Sequence, residues 1–204
     1  MTGGGMPDFL IHVHRKGEPP FRTLSALPDE QAISIMERLF VKGSVFWERF
    51  GDPRGYLRRR REVERNLREG FISQGGRPVD DHPVYLILGR PKWMDQVADE
   101  ATLSTTEMVE IPLSVIPPDA VSFTYPDSMA SAMIAERYPQ QYDAKIHGRV
   151  FTLAGMRRIV RRKGMPGEGW EAVLPPHEPH YIEAQVWDRR PLESFRRAAE
   201  TSAT

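Results

Sequence analysis

The chain has 204 residues, of which 28 are Lys or Arg and 28 are Asp or Glu, so its formal net charge is zero. This balance excludes a global basic field of the kind that attracts nucleic acid, and any such contact has to be local. The absence of cysteine excludes disulfides and Cys-ligated zinc, and no stretch approaches the roughly 20 apolar residues of a membrane span. We therefore expect a cytoplasmic protein without membrane contact, forming one domain over residues 1–204 with disordered ends at 1–7 and 198–204.

The first predicted element is a strand over residues 9–14, in which His12 and His14 share a face because successive side chains alternate. Two histidines with this spacing can bind a metal ion, but no third ligand follows with motif spacing. We predict histidines that are hydrogen-bonded or line a pocket, and we predict no metal site.

Two helices follow the first strand. The first starts at the acidic pair Asp29 and Glu30 and extends to residue 40. The second, over residues 56–71, carries the run Arg58 to Arg61, interrupted further on by glutamates at spacings that allow pairing within the helix. Such a run of charged residues usually forms a solvent-exposed face of a helix. Four consecutive arginines nevertheless spread around a helix, so at least one should turn inward toward a pocket or a phosphate.

The second half of the chain is rich in predicted strands. These cover residues 83–88, 110–116, 120–124 and 181–187. Asp127 and Ser128 form a polar corner, and Asp127 is placed to cap a short helix over 129–136. A basic helix over 151–163 ends at Gly164, and a loop to residue 179 leads into the last strand. Because no helices of regular length alternate with the strands, we predict an α+β domain with a bent, mostly antiparallel sheet, flanking helices and a cleft between its halves.

The last strand holds a single carboxylate, Glu183, between apolar neighbours. A carboxylate in the middle of a strand destabilises the fold unless it is paired or used in a cleft. Alternation places Glu183 on the polar and aromatic face and leaves the other face for the core. The first face consists of Tyr181, Glu183, Gln185 and Trp187, and the second of Ile182, Ala184 and Val186.

Four stretches of the chain, in this order, resemble the DarT-like DNA ADP-ribosyltransferase toxins. They are LIHVHRKG (10–17), VYLILGRPKWM (84–94), FTYPDSMA (123–130) and YIEAQVWDRRPL (181–192). The chain departs from the family in three places. The Asn-Leu helix entry after the first strand is absent, the Pro-Arg-Ser-Pro-Met corner is only partly kept, and Ser128 and Met129 stand where a histidine is expected.

The resemblance implies an ADP-ribosyltransferase that uses NAD as a substrate, modifies DNA or another acceptor, and has an antitoxin protein as a further partner. It implies Glu183 as the catalytic residue. The residues expected to bind NAD are His12, His14, Arg58, Arg61, Tyr85 and Arg90. Those expected to bind the acceptor are Asp127, Ser128 and Gln185. We accordingly expect His12, Arg90 and Glu183 to meet in one pocket, with Asp127 near its rim.

The residues themselves are consistent with this chemistry. Cleavage of the bond between nicotinamide and ribose passes through an oxocarbenium-like state that one carboxylate can stabilise. Arginine forks suit the oxygens of a pyrophosphate. No Gly-x-Gly-x-x-Gly turn is present, which disfavours a Rossmann-type dinucleotide site.

Two alternatives from other classes stay open. The first is a metal-dependent nuclease in which Asp127 and Glu183 bind magnesium, although Gln185 stands where such enzymes carry lysine. The second is a non-catalytic binding module whose arginine-rich helix contacts an acidic protein or a nucleic-acid backbone.

Overall fold

The computed structural model describes residues 5–44, 46–92, 94, 104–166 and 180–202. Within these residues the chain forms an α+β domain with a six-stranded antiparallel sheet and five helices. The predicted fold class is confirmed at that level. No helix in these ranges combines the length and the apolar character needed to cross a membrane. Trp93 and positions 167–179 of the predicted loop lie outside the described residues.

The strands and helices follow one another in an irregular order along the chain. The strands are β1 (Phe9–Arg15), β2 (Val84–Leu88), β3 (Thr106–Pro112), β4 (Val121–Thr124), β5 (Phe151–Thr152) and β6 (Glu183–Val186). The helices are α1 (Asp29–Leu39), α2 (Pro53–Ser73), α3 (Ser128–Arg137), α4 (Leu153–Lys163) and α5 (Glu193–Ser202).

The sheet has the strand order β3-β1-β2-β6-β4-β5, and every pairing is antiparallel. β1 pairs with β3 along its whole length, from Phe9 to Arg15. With β2 it pairs only at Leu10 and Ile11, which lie opposite Leu88 and Ile87. Beyond Ile11 the two strands no longer pair, and the cleft described below lies beside this point.

Both faces of the sheet are covered. The larger core lies between one face and α4, where Met156 and Ile159 pack in the same cluster as Ile182, Ala184 and Val186. The predicted core face of the last strand is therefore confirmed. The opposite face, which carries Glu183, is covered by α2 through a cluster of Leu67, Phe71, Val150 and Trp187.

Several boundaries differ from the prediction. The helix expected over residues 151–163 begins only at Leu153, because Phe151 and Thr152 form β5. The strand expected over residues 110–116 runs instead over Thr106–Pro112 and gives way to a 3₁₀ turn at Leu113–Val115. Pro112 ends it because proline has no N–H with which to continue the ladder. At the C-terminal end the backbone of the segment predicted to be disordered from residue 198 continues α5 as far as Ser202, and Phe195 packs against the large core.

Candidate active site

Helix α2 places two charged side chains in its buried stripe. The stripe consists of Leu57, Arg60, Glu64, Leu67 and Phe71, spaced three or four residues apart so that they share one face. Arg60 and Glu64 are 8 % and 1 % exposed. Buried charges are unfavourable unless they are paired and hydrogen-bonded, so their surroundings decide whether the helix can pack here.

Glu64 is the acceptor at the centre of a buried hydrogen-bond network. Its Oε1 accepts from the Ser25 hydroxyl at 2.8 Å and from the Tyr85 hydroxyl at 2.9 Å. Its Oε2 lies 2.6 Å from Nδ1 of His82. Arg60 Nε approaches Oε1 at 3.4 Å. The carboxylate is therefore satisfied on both oxygens and neutralised by a neighbouring cation.

Arg60 occupies the space between Glu64 and Glu183. Its guanidinium carbon lies 3.4 Å from the centre of the Tyr85 ring, a cation–π contact in a desolvated site. Its Nη1 donates to the Ser128 hydroxyl at 3.2 Å, and its Nη2 lies 3.7 Å from Glu183 Oε1. Although burial by itself lowers the pKa of Arg60, the surrounding tyrosines and carboxylates raise it well above its usual range. Arg60 is a fixed positive charge.

The two oxygens of Glu183 have different environments. Oε2 accepts from the Ser128 backbone N–H at 2.9 Å and from the Gln185 side-chain amide at 3.0 Å. Oε1 accepts no hydrogen bond from the described part of the chain and faces only Arg60 Nη2. Glu183 is 6 % exposed and lines the cleft. One oxygen is thus anchored by the protein while the other remains available to a ligand.

A line of polar side chains on β6 and β4 anchors Glu183 from behind. Gln185 also donates to the Thr124 hydroxyl at 3.0 Å and accepts from the Ser122 hydroxyl at 2.9 Å. Ser122 in turn accepts from the Trp187 ring N–H at 2.8 Å. Because each buried group has a partner, this network fixes the position of the Glu183 carboxylate.

A cleft with a cavity volume of about 190 Å³ opens in front of Glu183. Its floor includes Tyr85 from β2, and its far wall comes from α1 and the segment before α2. The aromatic side chains that line it are Phe46, Trp47, Phe50, Tyr56, Tyr85 and Tyr181. Burial raises the pKa of both Tyr85 and Tyr181 well above the usual value, so both present neutral hydroxyls. A cleft that combines aromatic and aliphatic side chains with arginines and glutamates suits a small molecule that carries both rings and charged groups.

His12 lines this cleft, but both of its ring nitrogens are used by the backbone. Nδ1 lies 3.0 Å from the Tyr85 carbonyl, and Nε2 accepts from the Phe21 N–H at 2.8 Å. This pair of contacts requires the neutral ring, and burial lowers the pKa of His12 to about 4. Phe21 has the left-handed φ of 60°, so the bond from its N–H holds a strained residue in place. The structure assigns His12 a structural bond here, which leaves it no cationic contact with a phosphate.

The other residues predicted to bind NAD are dispersed. His14 lines the cleft, and its Nδ1 lies 3.1 Å from the Glu18 carbonyl. Arg58 is exposed on α2 and does not line the cleft, since it is two residues, or about 200°, away from Arg60. Arg61 turns toward α1 and donates to Asp29 at 2.7 Å and to the carbonyls of Ser25 and Leu27.

Arg90 is exposed and does not line the cleft. Gly89, its neighbour, donates its N–H to the Phe9 carbonyl at 3.0 Å. Because β1 and β2 are antiparallel, the end of β2 lies beside the start of β1, whereas the cleft lies beside the other end. The expected meeting of His12, Arg90 and Glu183 is therefore found for His12 and Glu183 and is wrong for Arg90.

The three residues predicted to bind the acceptor surround Glu183 without lining the cleft. Asp127 caps α3, as predicted, and its Oδ1 accepts from the N–H groups of Met129 and Ala130 at 2.9 Å each. Burial and the nearby Glu183 raise the pKa of Asp127 to about 6. Ser128 lies between this cap and Glu183, while Gln185 is fully buried in the network behind it.

Arg60 and Glu64 belong to the site but were not predicted as site residues, although the sequence pattern indicates that both are buried. Arg60 and Glu64 stand at the helical spacing of Leu57, Leu67 and Phe71, which is the spacing of a buried face. The aromatic wall of the cleft had a weaker signal, since the cluster at residues 46–50 is equally typical of a core.

No family model, curated protein or solved structure matches this chain.

Proposed function

We propose that this protein is an ADP-ribosyltransferase that binds NAD in the aromatic cleft and transfers ADP-ribose to an acceptor, for which DNA is the class implied by the sequence resemblance. The observation that carries the proposal is the state of Glu183. It is a buried carboxylate that lines the cleft, with Oε2 anchored by Ser128 and Gln185 and with Oε1 in contact, among the described residues, with Arg60 alone.

In the proposed reaction the bond between the ribose C1′ and the nicotinamide nitrogen breaks, and its electron pair leaves with nicotinamide. A nucleophilic atom of the acceptor bonds to C1′ and loses its proton to Glu183 or to water. Glu183 Oε1 accepts a hydrogen bond from a ribose hydroxyl and stabilises the positive charge that develops on the sugar. The anchored Oε2 supports this role, because a carboxylate that is held in place does not have to reorganise during the reaction.

Arg49 is the residue best placed to bind the NAD pyrophosphate. Four arginines line the cleft: Arg15, Arg22, Arg49 and Arg60. Three of them are engaged by the protein: Arg15 by the carbonyls of Arg38 and Leu39, Arg22 by Glu18, and Arg60 by Glu64 and Glu183.

Arg49 forms no ion pair within the described ranges and lies with its guanidinium carbon 5.1 Å from the centre of the Phe50 ring. The Arg49 side chain is exposed to solvent. An arginine at the mouth of a cleft with no carboxylate partner suits a phosphate ligand.

The size of the cleft agrees with part of a dinucleotide. About 190 Å³ is less than the roughly 300–1,000 Å³ of sites that enclose a whole drug-sized ligand. We assign this volume to nicotinamide and its ribose, with the adenosine half beyond the mouth. Arg60 covers one face of Tyr85, so the nicotinamide ring would stack on other aromatic side chains, such as Trp47.

The nuclease alternative has less support. Arg60 lies 3.7 Å from Oε1 of Glu183, the oxygen that Ser128 and Gln185 do not engage, so a magnesium ion bound there would have to approach a fixed cation. The Oδ1 of Asp127 already accepts two backbone N–H groups.

Thermal stability with added ligands tests the proposal. NAD and ADP-ribose should raise the melting temperature, while magnesium alone should not, because only a ligand of the folded state stabilises it. Arg49→Gln should reduce the shift with NAD, and the exposed Arg58→Gln serves as its matched control. A shift with magnesium and none with NAD would favour the nuclease.

A further inference from the structure

Helix α4 exposes four arginines that form no ion pair with the described part of the chain. Arg157, Arg158, Arg161 and Arg162 are all exposed, and none forms an ion pair with any residue that the structure describes. We call these four side chains the arginine face. Because 157 and 161, and likewise 158 and 162, are four residues apart, the side chains form two adjacent rows on the solvent side of the helix. The helix has no acidic residue along its length.

The arrangement differs from the other arginine-rich helix, α2. There the exposed Arg58, Arg59 and Arg65 alternate with Glu62 and Glu69, which lie four residues after Arg58 and Arg65. Neither Arg58–Glu62 nor Arg65–Glu69 is within ion-pair distance in the described structure, but the glutamates lower the net charge of this helix surface. In α4, like charges at the same spacing repel one another and destabilise it.

The helix dipole accounts for only part of the arginine face. Cations in the last turn of a helix are favourable, and this applies to Arg161, Arg162 and Lys163. It does not apply to Arg157 and Arg158, which lie in the middle of the helix. Their exposure and repulsion are explained if an anion neutralises them.

The chemistry of the face selects the kind of anion. The apolar side chains Met156, Ile159 and Val160 are buried against the sheet, so the face offers no apolar or aromatic centre of the kind that protein interfaces have. Guanidinium forks match the oxygens of phosphate groups in two-point contacts. A row of phosphates fits both properties.

We propose that the arginine face binds the phosphate backbone of nucleic acid. The face lies on the side of the sheet opposite Glu183, because α4 packs in the core cluster of Ala184 whereas Glu183 lies on the alternate face. It therefore holds a nucleic acid without occupying the cleft. The proposal does not depend on NAD chemistry. If the cleft is a transferase site, the face supplies the affinity for a DNA acceptor that a protein with zero net charge otherwise lacks.

The test uses fluorescence anisotropy to measure how tightly the protein binds a fluorescein-labelled DNA single strand and a duplex of the same sequence. The measurement is repeated across a series of salt concentrations. With four phosphate contacts, duplex affinity should fall roughly a hundredfold between about 50 and 200 mM salt. The double variant R157Q/R158Q should lower the slope of log affinity against log salt by about 2, and the variant with all four arginines replaced by about 3 to 4. Glutamine is a good helix former, and circular dichroism verifies that the variants are folded.

The variant R58Q/R59Q on α2 is the matched control, since it also removes two adjacent exposed arginines from a helix. It should bind like the wild type. The proposal is overturned if the wild type binds neither strand form at about 50 mM salt, if the four-arginine variant binds unchanged, or if the control loses as much. Binding of poly-glutamate as tightly as DNA also overturns it and indicates an acidic protein partner. Because the NAD-induced thermal shift is measured separately, failure of this proposal is distinguishable from failure of the transferase proposal.

Discussion

Replacement of Glu64 by alanine should destabilise the fold more than any single change at the rim of the cleft. Glu64 is 1 % exposed, and its removal leaves the Tyr85 hydroxyl without its acceptor and leaves Glu183, at 3.7 Å, as the remaining carboxylate beside Arg60 among the described residues. Ser25 can rotate, and His82 is 28 % exposed, so both can find other partners. Loss of one partner from a buried ion pair costs about 3–5 kcal/mol, and we expect about 4 kcal/mol here.

Urea denaturation measures this loss, provided that the slope m is unchanged, and the melting temperature should fall by about 10 °C. Glu64→Gln is the matched variant. It keeps an oxygen for Tyr85 and Ser25, loses the charge, and replaces the oxygen that faces His82 by an NH2 group. It should therefore cost less than the alanine, about 1–2 kcal/mol. If Glu64→Ala costs under about 1 kcal/mol, Arg60 is not held as a buried charge and our description of the site is wrong.

Three further substitutions probe the surroundings of the cleft. Arg58→Gln, which alters an exposed side chain, should leave both the melting temperature and NAD binding unchanged; weaker binding in a titration would return Arg58 to the site. Trp187→Phe removes the ring N–H that donates to Ser122 and part of a fully buried ring, so urea denaturation should show a loss of about 2 kcal/mol; no loss would contradict the packing described for this side chain. Burial and the neighbouring Glu183 raise the pKa of Asp127 from 3.8 to about 6. At a pH between these two values the folded state keeps a proton on Asp127 that the unfolded state releases. The raised pKa therefore adds at most about 3 kcal/mol to the free energy of unfolding of the wild type. This contribution is fully present below pH 4 and is lost as the pH rises through 6. Asp127→Asn keeps the cap and does not titrate, so urea denaturation between pH 4 and 7 should show its stability rising relative to the wild type; a difference independent of pH would contradict the assigned shift.

The local patterns of the sequence predict most of the secondary structure. Alternation in the last strand identified Ile182, Ala184 and Val186 as its core face, and the Asp127 corner identified a helix cap. Both predictions depend only on residues that are close in the sequence, where the alternation of a strand or the capping of a helix follows a simple physical rule. The same rule could not show that the other face of the strand is also covered, because that depends on where α2 packs. Gln185 was therefore predicted to bind a substrate and is instead buried behind Glu183.

Which arginines belong to the site also depends on tertiary contacts. The choice among Arg58 to Arg61 is a choice of helix rotation, and the buried spacing from Leu57 to Phe71 settles it in favour of Arg60. Arg90 was assigned to the site because it follows a strand. Which end of the sheet carries the cleft is determined by where β1 and β2 stop pairing, and no local pattern encodes that point.

The most direct test of the transferase proposal is the effect of Glu183→Gln on NAD binding and NAD consumption, measured on the same preparation. The glutamine oxygen can still accept from Ser128 and Gln185, so folding and NAD affinity should stay nearly unchanged. Its amide, in place of Oε1, cannot stabilise the charge on the ribose. Turnover should therefore fall on the order of a hundredfold or more, or about 3 kcal/mol of barrier. Full NAD consumption by a stably folded Glu183→Gln protein would contradict the proposal.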